Sequence, residues 1–422
     1  MLKKAALFVL TAAVAAFAPL GGADAPRPGQ LRDYPGDYGA MIAICSDIDG
    51  ATPAEFEKAH RFLNTLEPTE NGPGLGLDVA DSFWMFNFSD IGAVSDHLSG
   101  GDNEVMSYFW QDGVVKHAAA ITKYYHCGWI DTIHSYGDFS MADPTRTPFT
   151  AELARRSLDA MREAGISPSV WTNHGNKSNA QNIRGSRRSA LAYQKGGDPS
   201  SEYYHADAAL AAGIRFIWFS DPGGRFGSKT PLYAVTLEDG ARVWGFRRYT
   251  GSSTPLGHKY SWSVYNLHKQ LSRARLDGLV SARRAVVVAQ HLGGGADPWP
   301  FPAEAMDALR LLADYQRRGL ILVARTSRLL EYIRVRDYLE YTYSSESGSE
   351  IIDVISVNDP VIGASAPQAE QLRGITFYAQ SPARAAVRIN GADVPERLLQ
   401  RGADTVGFKW HDPDYTDYTK PG

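Results

Sequence analysis

The chain has 422 residues, 44% hydrophobic and 11% aromatic, enough apolar mass to bury a large core and to carry one big domain plus a small one. Its formal charge of −4 is small for that length and no basic block occurs, which argues against a nucleic-acid partner. Only two cysteines occur, Cys45 and Cys127, so a thiolate zinc site of the finger type is excluded; the pair is equally compatible with free thiols and with one disulfide.

Lys3 and Lys4 precede an apolar stretch from Ala5 to Leu20, and small residues follow between Gly21 and Ala25. This reads as a Sec signal peptide over 1–25, with export to the periplasm or the extracellular space. The apolar stretch is short for a spanning helix, and the mature chain carries no other candidate.

The segment Met41 to Gly50 is the one around which the rest of the chain is organised. An apolar run, Met41 to Cys45, ends in Asp47-Ile48-Asp49-Gly50, the pattern of a buried parallel strand with two carboxylates at its C-terminal end. Alternation places Asp47 and Asp49 on one side, where like charges are costly unless a cation compensates them. A metal is the simplest such cation. The plainer alternative is turn chemistry, with Thr52 and Pro53 opening the next helix.

Helical spacing of Phe56, Ala59, Phe62, Leu63 and Leu66 predicts a helix from Pro53 to Leu66. Residues 69–112 form a long insertion with one strand-like run, 82–88, whose aromatics either line a sugar-binding rim, Trp84 foremost, or join the core. A helix over 114–126 leads to a strand from Gly128 to Ile133, which runs into His134-Ser135-Tyr136-Gly137-Asp138. A helix over 149–164 leads to a strand from Ser169 to Thr172, which runs into Asn173-His174. A helix from Tyr203 to Ala212 precedes the strand Arg215 to Phe219, which ends at Ser220-Asp221. A hairpin is expected over 232–249, then a helix over 261–276 and the strand Ala285 to Ala289, which ends in Gln290-His291. Helix 303–318, strand Leu320 to Ala324 and helix 327–335 close the series.

Strands alternating with helices, with polar residues at one end of each strand, predict an α/β fold, a (β/α) barrel over 26–337 with its site at the C-terminal face. Beyond, over 338–422, alternating segments such as Ile351 to Val357 predict a small β-rich domain.

The strand ends offer Asp47, Asp49, His134, Asp138, His174 and His291. Carboxylate plus imidazole without thiolate suits a catalytic Zn²⁺, Co²⁺, Mn²⁺ or Ni²⁺ with open positions for water. His60, His97, His117, His205, His258 and His268 have no partner motif and read as surface or satisfied polar groups, and Arg184, Arg187 and Arg188 form a basic loop patch.

In Ser46-Asp47-Ile48-Asp49-Gly50, His134-Ser135-Tyr136-Gly137-Asp138 and Ala289-Gln290-His291, with the closing strand and helix Gly319 to Ile333, the chain resembles the polysaccharide deacetylases of the NodB-type fold, carbohydrate esterase family four, over about 38–335. The resemblance implies a distorted seven-stranded barrel and a metal-dependent hydrolase that removes N- or O-acetyl groups from a polysaccharide. It implies Asp47 as base, Asp49, His134 and Asp138 as metal ligands, and His291 as the acid that protonates the leaving group. His174 can replace or supplement Asp138, while Asn173, Trp84, Tyr136 and Asp221 are candidates for substrate contact. The chain departs from the family where Ile48 separates the two aspartates and where Asp138 stands for a second histidine; the family's Arg-x-Pro motif is absent. Two alternatives remain: a metal-independent glycoside hydrolase using two of Asp47, Asp49, Asp138 and Asp221, and a non-catalytic carbohydrate-binding protein.

Overall fold

The computed structural model describes residues 26–90, 105–110, 113–185, 191–292, 301–346 and 349–420. The expected signal peptide over 1–25, His97, Arg187 and Arg188 lie outside them.

The main sheet has nine strands: β1 (Ala40–Ser46), β2 (Ala80–Phe83), β3 (Ile130–His134), β4 (Val170–Thr172), β5 (Phe216–Trp218), β6 (Leu232–Thr236), β7 (Arg242–Phe246), then β10 (Ala285–Gln290) and β11 (Ile321–Val323). The hairpin β8 (Gly251–Thr254) and β9 (Gly257–Tyr260) stands outside that sheet. The order is β6-β7-β5-β4-β3-β2-β1-β10, and β11 also pairs with β1. Every pairing is parallel except that of β6 with β7.

The sheet curls into a half-barrel within the expected α/β class, while the expected distorted seven-stranded barrel is here an open sheet of nine strands among the described residues. Across the seam, the described residues make only isolated bridges, Ser228 with Ala285 and Tyr249 with Val288. Strand β1 serves three partners. Its register with β10 runs from Met41 to Ser46, while β11 takes Ala40 to Ile42 and β2 takes Cys45 and Ser46.

All seven residues of β1 are buried, as expected of a central parallel strand. Alternation sends Met41, Ala43 and Cys45 into one apolar cluster and Ala40, Ile42 and Ile44 into another. The second cluster is roofed by α1 (Pro53–Asn64) through Phe62 and Leu63, and by α7 (Ala303–Arg317) through Leu309 and Leu312. Helix α1 starts where expected, with Thr52 and Glu55 forming a reciprocal capping box before Pro53.

Between α1 and α7 come α2 (Ala118–Cys127), α3 (Ala151–Glu163) and α4 (Ala206–Ala211). The helix expected over 261–276 is broken into a 3-10 turn, Val264–Asn266, and two helices, α5 (Leu267–Gln270) and α6 (Arg273–Ser281). After α8 (Thr326–Asp337) the chain forms two small sheets, one built on the hairpin Leu339–Glu346 and Ser349–Asp359, the other on Thr376–Tyr378, Leu399–Arg401 and Thr405–Phe408. Ile352, Phe377 and Val406 share the first cluster with Met41, Leu329 and Ile333, so this β-rich region packs directly on α8. Trp244 Nε1 and Arg334 both donate to Asp359, at 3.1 and 2.8 Å, and key it to the half-barrel.

Cys45 and Cys127 are free thiols, the former buried, so of the two readings the sequence allowed the disulfide is not formed. Among the described residues no helix is long and apolar enough to cross a membrane.

Candidate metal centre

Parallel pairing brings the C-terminal ends of β1, β3, β4 and β10 to one rim, and each strand delivers its polar residue there. The backbone N–H of Asp47 donates to the Gln290 carbonyl, 2.8 Å, which continues the ladder one residue past β1. Gly50 then turns the chain with a φ of 74°, so Asp49 reaches back over the strand ends. Ser135, at φ 52°, makes the corresponding turn after His134, and its hydroxyl accepts from the His174 backbone N–H at 3.1 Å.

Three side chains converge. Asp49 Oδ1 lies 3.1 Å from His134 Nε2, Asp49 Oδ2 lies 3.5 Å from His174 Nδ1, and the two imidazole nitrogens are 2.9 Å apart. These ligand atoms all fall within 4.8 Å of one another, a group able to hold a metal ion.

The remaining nitrogens explain the aim of each ring. Thr172 Oγ1 donates to Asp47 Oδ1 at 3.4 Å, so toward His134 it can only accept; His134 Nδ1–H donates to it at 2.7 Å and keeps the Nε2 lone pair for the centre. His174 Nε2–H donates to Asp138 Oδ1, 3.0 Å away, which turns Nδ1 inward. Trp84 walls both rings, stacked at 13° on His134 and edge-on to His174. Such outer partners set tautomer and orientation in metal sites. The donor chemistry therefore fits a divalent cation held by Asp49, His134 and His174.

Asp138 consequently does not join that group, contrary to the expected Asp49, His134, Asp138 set. Its Oδ1 is spent on His174 and on the Ser140 backbone N–H, which donates at 2.8 Å; Oδ2 is buried with no hydrogen-bond partner among the described residues.

Asp47 stands beside the centre rather than in it. Arg248 Nη2 donates to its Oδ2 at 2.7 Å and to the Cys45 carbonyl at 2.8 Å, with the guanidinium lying over Trp218 at 4.5 Å. On the other side His291 Nδ1–H donates to the Trp262 carbonyl at 3.1 Å, which faces Nε2 toward Asp49 Oδ2 at 3.6 Å. The site opens on this side: the Asp49 and His291 side chains keep 26% and 23% of their surface exposed, against 3% for His134.

Electrostatics follow from this layout. Burial alone raises the Asp47 carboxyl, but Arg248 and the two histidines outweigh it and hold it below its ordinary range. Asp49 is driven well below that range by His174 and His134 against its burial, and Asp138 is lowered by His174 in the same way. Burial pushes His174 down, yet Asp138 and Asp49 raise it to about 9. His291 is likewise raised to about 9, burial being overcome by its hydrogen bond to Asp49 and the charge there.

Three substrate-contact expectations are corrected. Trp84 and Tyr136 are fully buried, Trp84 behind the two histidines and Tyr136 edge-on against Trp171, because the insertion covers this flank of the sheet. Asn173 is buried too, its amide committed to Trp171 Nε1 and to both backbone groups of Ile183. Asp221 is half-buried and accepts from the Tyr233 hydroxyl at 3.3 Å, outside the metal-capable group.

Arg248 and Thr172 escaped the sequence reading. Arg248 follows β7, which reads as half of an antiparallel hairpin; because β7 also pairs in parallel with β5, its end reaches the same rim as the others. Thr172 is the last residue of β4, where a hydroxyl signals nothing until its neighbours are known.

What the fold and site define is thus a mixed α/β protein whose curled half-barrel sheet carries a His/Asp group able to hold a metal. Among solved structures, one described as a "putative polysaccharide deacetylase" from Mycobacterium smegmatis is similar at 14% identity and a TM-score of 0.39, covering 76% of this chain and 100% of that chain. At that TM-score the likeness carries no weight, and the geometry of the site stands by itself. No family model and no curated protein matches the sequence.

Proposed function

We propose that the chain is an exported, divalent-metal-dependent hydrolase, with zinc the preferred ion, that removes acetyl groups from a polysaccharide. The observation that carries this reading is the convergence of Asp49, His134 and His174, each imidazole aimed by a partner on its far nitrogen, beside Asp47 on Arg248 and His291 on the open side. Export rests on the N-terminal sequence alone, Lys3 and Lys4 before an apolar stretch and small residues.

A divalent cation bound there supplies Lewis acidity toward a water and an acyl carbonyl. Asp47, ionised because Arg248 holds it so, takes the proton of the attacking water. Arg248 is a positioning residue, fixing one carboxylate oxygen and leaving Oδ1 toward His134 and Thr172. His291 Nε2–H, held by the Trp262 carbonyl behind it, protonates the departing amine or alcohol. A base and an acid whose environments push their pKa values apart are the pairing that hydrolysis near neutrality requires.

The two-carboxylate glycosidase is disfavoured by the same electrostatics. Asp47, Asp49 and Asp138 are all held below the ordinary carboxylate range, which speaks against any of these three as the protonated acid such a mechanism needs, and Asp221, the fourth candidate, stands outside the metal-capable group.

The test is metal content by elemental analysis of wild type, Asp49→Ala and His134→Ala, followed by acetate release from acetylated glycans. One metal per chain, lost in both variants, with acetate release that depends on it, is expected. Wild type that takes up no metal after soaking with Zn²⁺ or Co²⁺ overturns the reading.

A further inference from the structure

His291 and the Asp47–Asp49 turn meet, through two serines, at one buried carboxylate. In the register of the sheet Ser46, the last residue of β1, stands between Gln290 on β10 and Asp81 on β2. Its hydroxyl serves both sides: it accepts from the Leu292 backbone N–H at 2.9 Å and donates to Asp81 Oδ2 at 3.0 Å. The Ser82 backbone N–H donates to Asp81 Oδ1 at 2.9 Å, and the Ser82 hydroxyl accepts from the Ile48 backbone N–H at 2.9 Å. Leu292 follows His291, and Ile48 separates Asp47 from Asp49.

Asp81 fixes the direction of the first chain of bonds. A carboxylate oxygen accepts, so the Ser46 hydrogen is spent on it and the Ser46 lone pairs are left for Leu292. Ser46, Asp81 and Ser82 are at most 1% exposed. Among the described residues no lysine or arginine hydrogen-bonds to Asp81, and His60 Nε2 stands 3.8 Å from it. A buried carboxylate without a hydrogen-bonded cation costs stability that an apolar side chain of the same size would not. What it does there is order two backbone N–H groups, the one after His291 and the one between Asp47 and Asp49.

We infer that Asp81 is a positioning residue: through Ser46 it sets where His291 stands, and through Ser82 where Asp49 stands, so that acid and metal group keep one geometry relative to each other. Asp81 itself lies outside the metal-capable group. The role of His291 as acid rests on the hydrolase reading above; the two serine links do not.

The full chain, as wild type, Ser46→Ala, Ser82→Ala and Asp81→Asn, is loaded with zinc and assayed on the hexamer of N-acetylglucosamine and on 4-nitrophenyl acetate, whose leaving group departs without a proton. Zinc affinity is read by competition with a chelator and exchange of the Leu292 amide by NMR. Ser46→Ala is expected to lower kcat on the hexamer by about 10-fold or more, with KM, ester hydrolysis and zinc affinity unchanged, because only the acid is displaced. Its Leu292 amide should exchange about 10-fold faster. Ser82→Ala is expected to weaken zinc binding by about 10-fold and to lose both activities only at limiting zinc. Asp81→Asn, which replaces one accepting oxygen with a donor, should show both effects. A Ser46→Ala defect of equal size on the two substrates marks a structural role and overturns the inference, as does Leu292 exchange unchanged in Ser46→Ala or zinc affinity unchanged in Ser82→Ala. If Asp81→Asn does not fold, the two serine variants, which strand no charge, decide. Wild type inactive on both substrates overturns the hydrolase reading alone, and Leu292 exchange and zinc affinity then decide the inference.

Discussion

Asp138 Oδ1 lies 3.0 Å from the outer nitrogen of His174 and so decides which nitrogen of that ring faces the centre. An aspartate that sequence spacing offers as a ligand acts here one atom removed, through the imidazole it orients. Replacing it tests the distinction. Asp138→Asn should weaken zinc binding by about 10-fold and Asp138→Ala by up to about 100-fold, measured by competition with a chelator, whereas removal of a direct ligand abolishes stoichiometric binding.

His174, raised to about 9, carries both ring protons near neutrality, one toward Asp138 and one toward His134. The cation must displace the Nδ1 proton. Zinc binding at about pH 7.5 should therefore release about one proton per metal from His174, plus whatever fraction His291 gives up as the cation lowers it, read from the dependence of the calorimetric heat on buffer ionisation enthalpy. A heat that does not vary with buffer would show His174 already neutral.

Arg248 and Asp47 form a buried ion pair, 2.7 Å between Nη2 and Oδ2. Arg248→Met leaves the carboxylate buried with its strongest partner gone, and a loss of about 3–5 kcal/mol in urea unfolding is expected. Removing the charge that lowers Asp47 also moves the acid limb of any pH–rate profile upward, the sign a purely structural defect would not produce.

The alkaline limb belongs to His291, which must be protonated to act as acid and is raised to about 9 in the metal-free chain by Asp49. A cation at Asp49 shares that negative charge and lowers the limit. In the zinc-loaded protein kcat should therefore fall between the ordinary histidine value of 6.5 and about 9, and His291→Gln should flatten that limb along with its loss of rate.

His205 shows the opposite electrostatics. It is buried, its Nε2–H donates to the Gln181 carbonyl at 2.7 Å, Nδ1 has no hydrogen-bond partner among the described residues, and burial lowers its pKa from 6.5 to about 4. Above 6.5 both folded and unfolded chains hold it neutral, so it contributes nothing to pH dependence. As pH falls toward 4, only the unfolded chain takes up the proton, and stability drops by up to roughly 3 kcal/mol, levelling off below that pH. Urea unfolding should show that drop in wild type and a smaller one in His205→Gln.

The order of strands and helices was legible in the sequence, because apolar periodicity and cap residues act over a few neighbours. Thr52, Glu55 and Pro53 start α1 where the pattern placed it, and the run from Ala285 to Ala289 could only be a buried strand. That Asp47, Asp49, His134, His174 and His291 gather at one rim was legible too, since parallel strands put their C-terminal ends together. What only the tertiary structure decided are the relations across strands. It made Arg248 the partner of Asp47, turned His174 inward and Asp138 outward, and buried Trp84 and Tyr136. Spacing along the chain lists which side chains reach a rim; register and backbone turns determine which nitrogen faces which oxygen, and no local pattern encodes those distances.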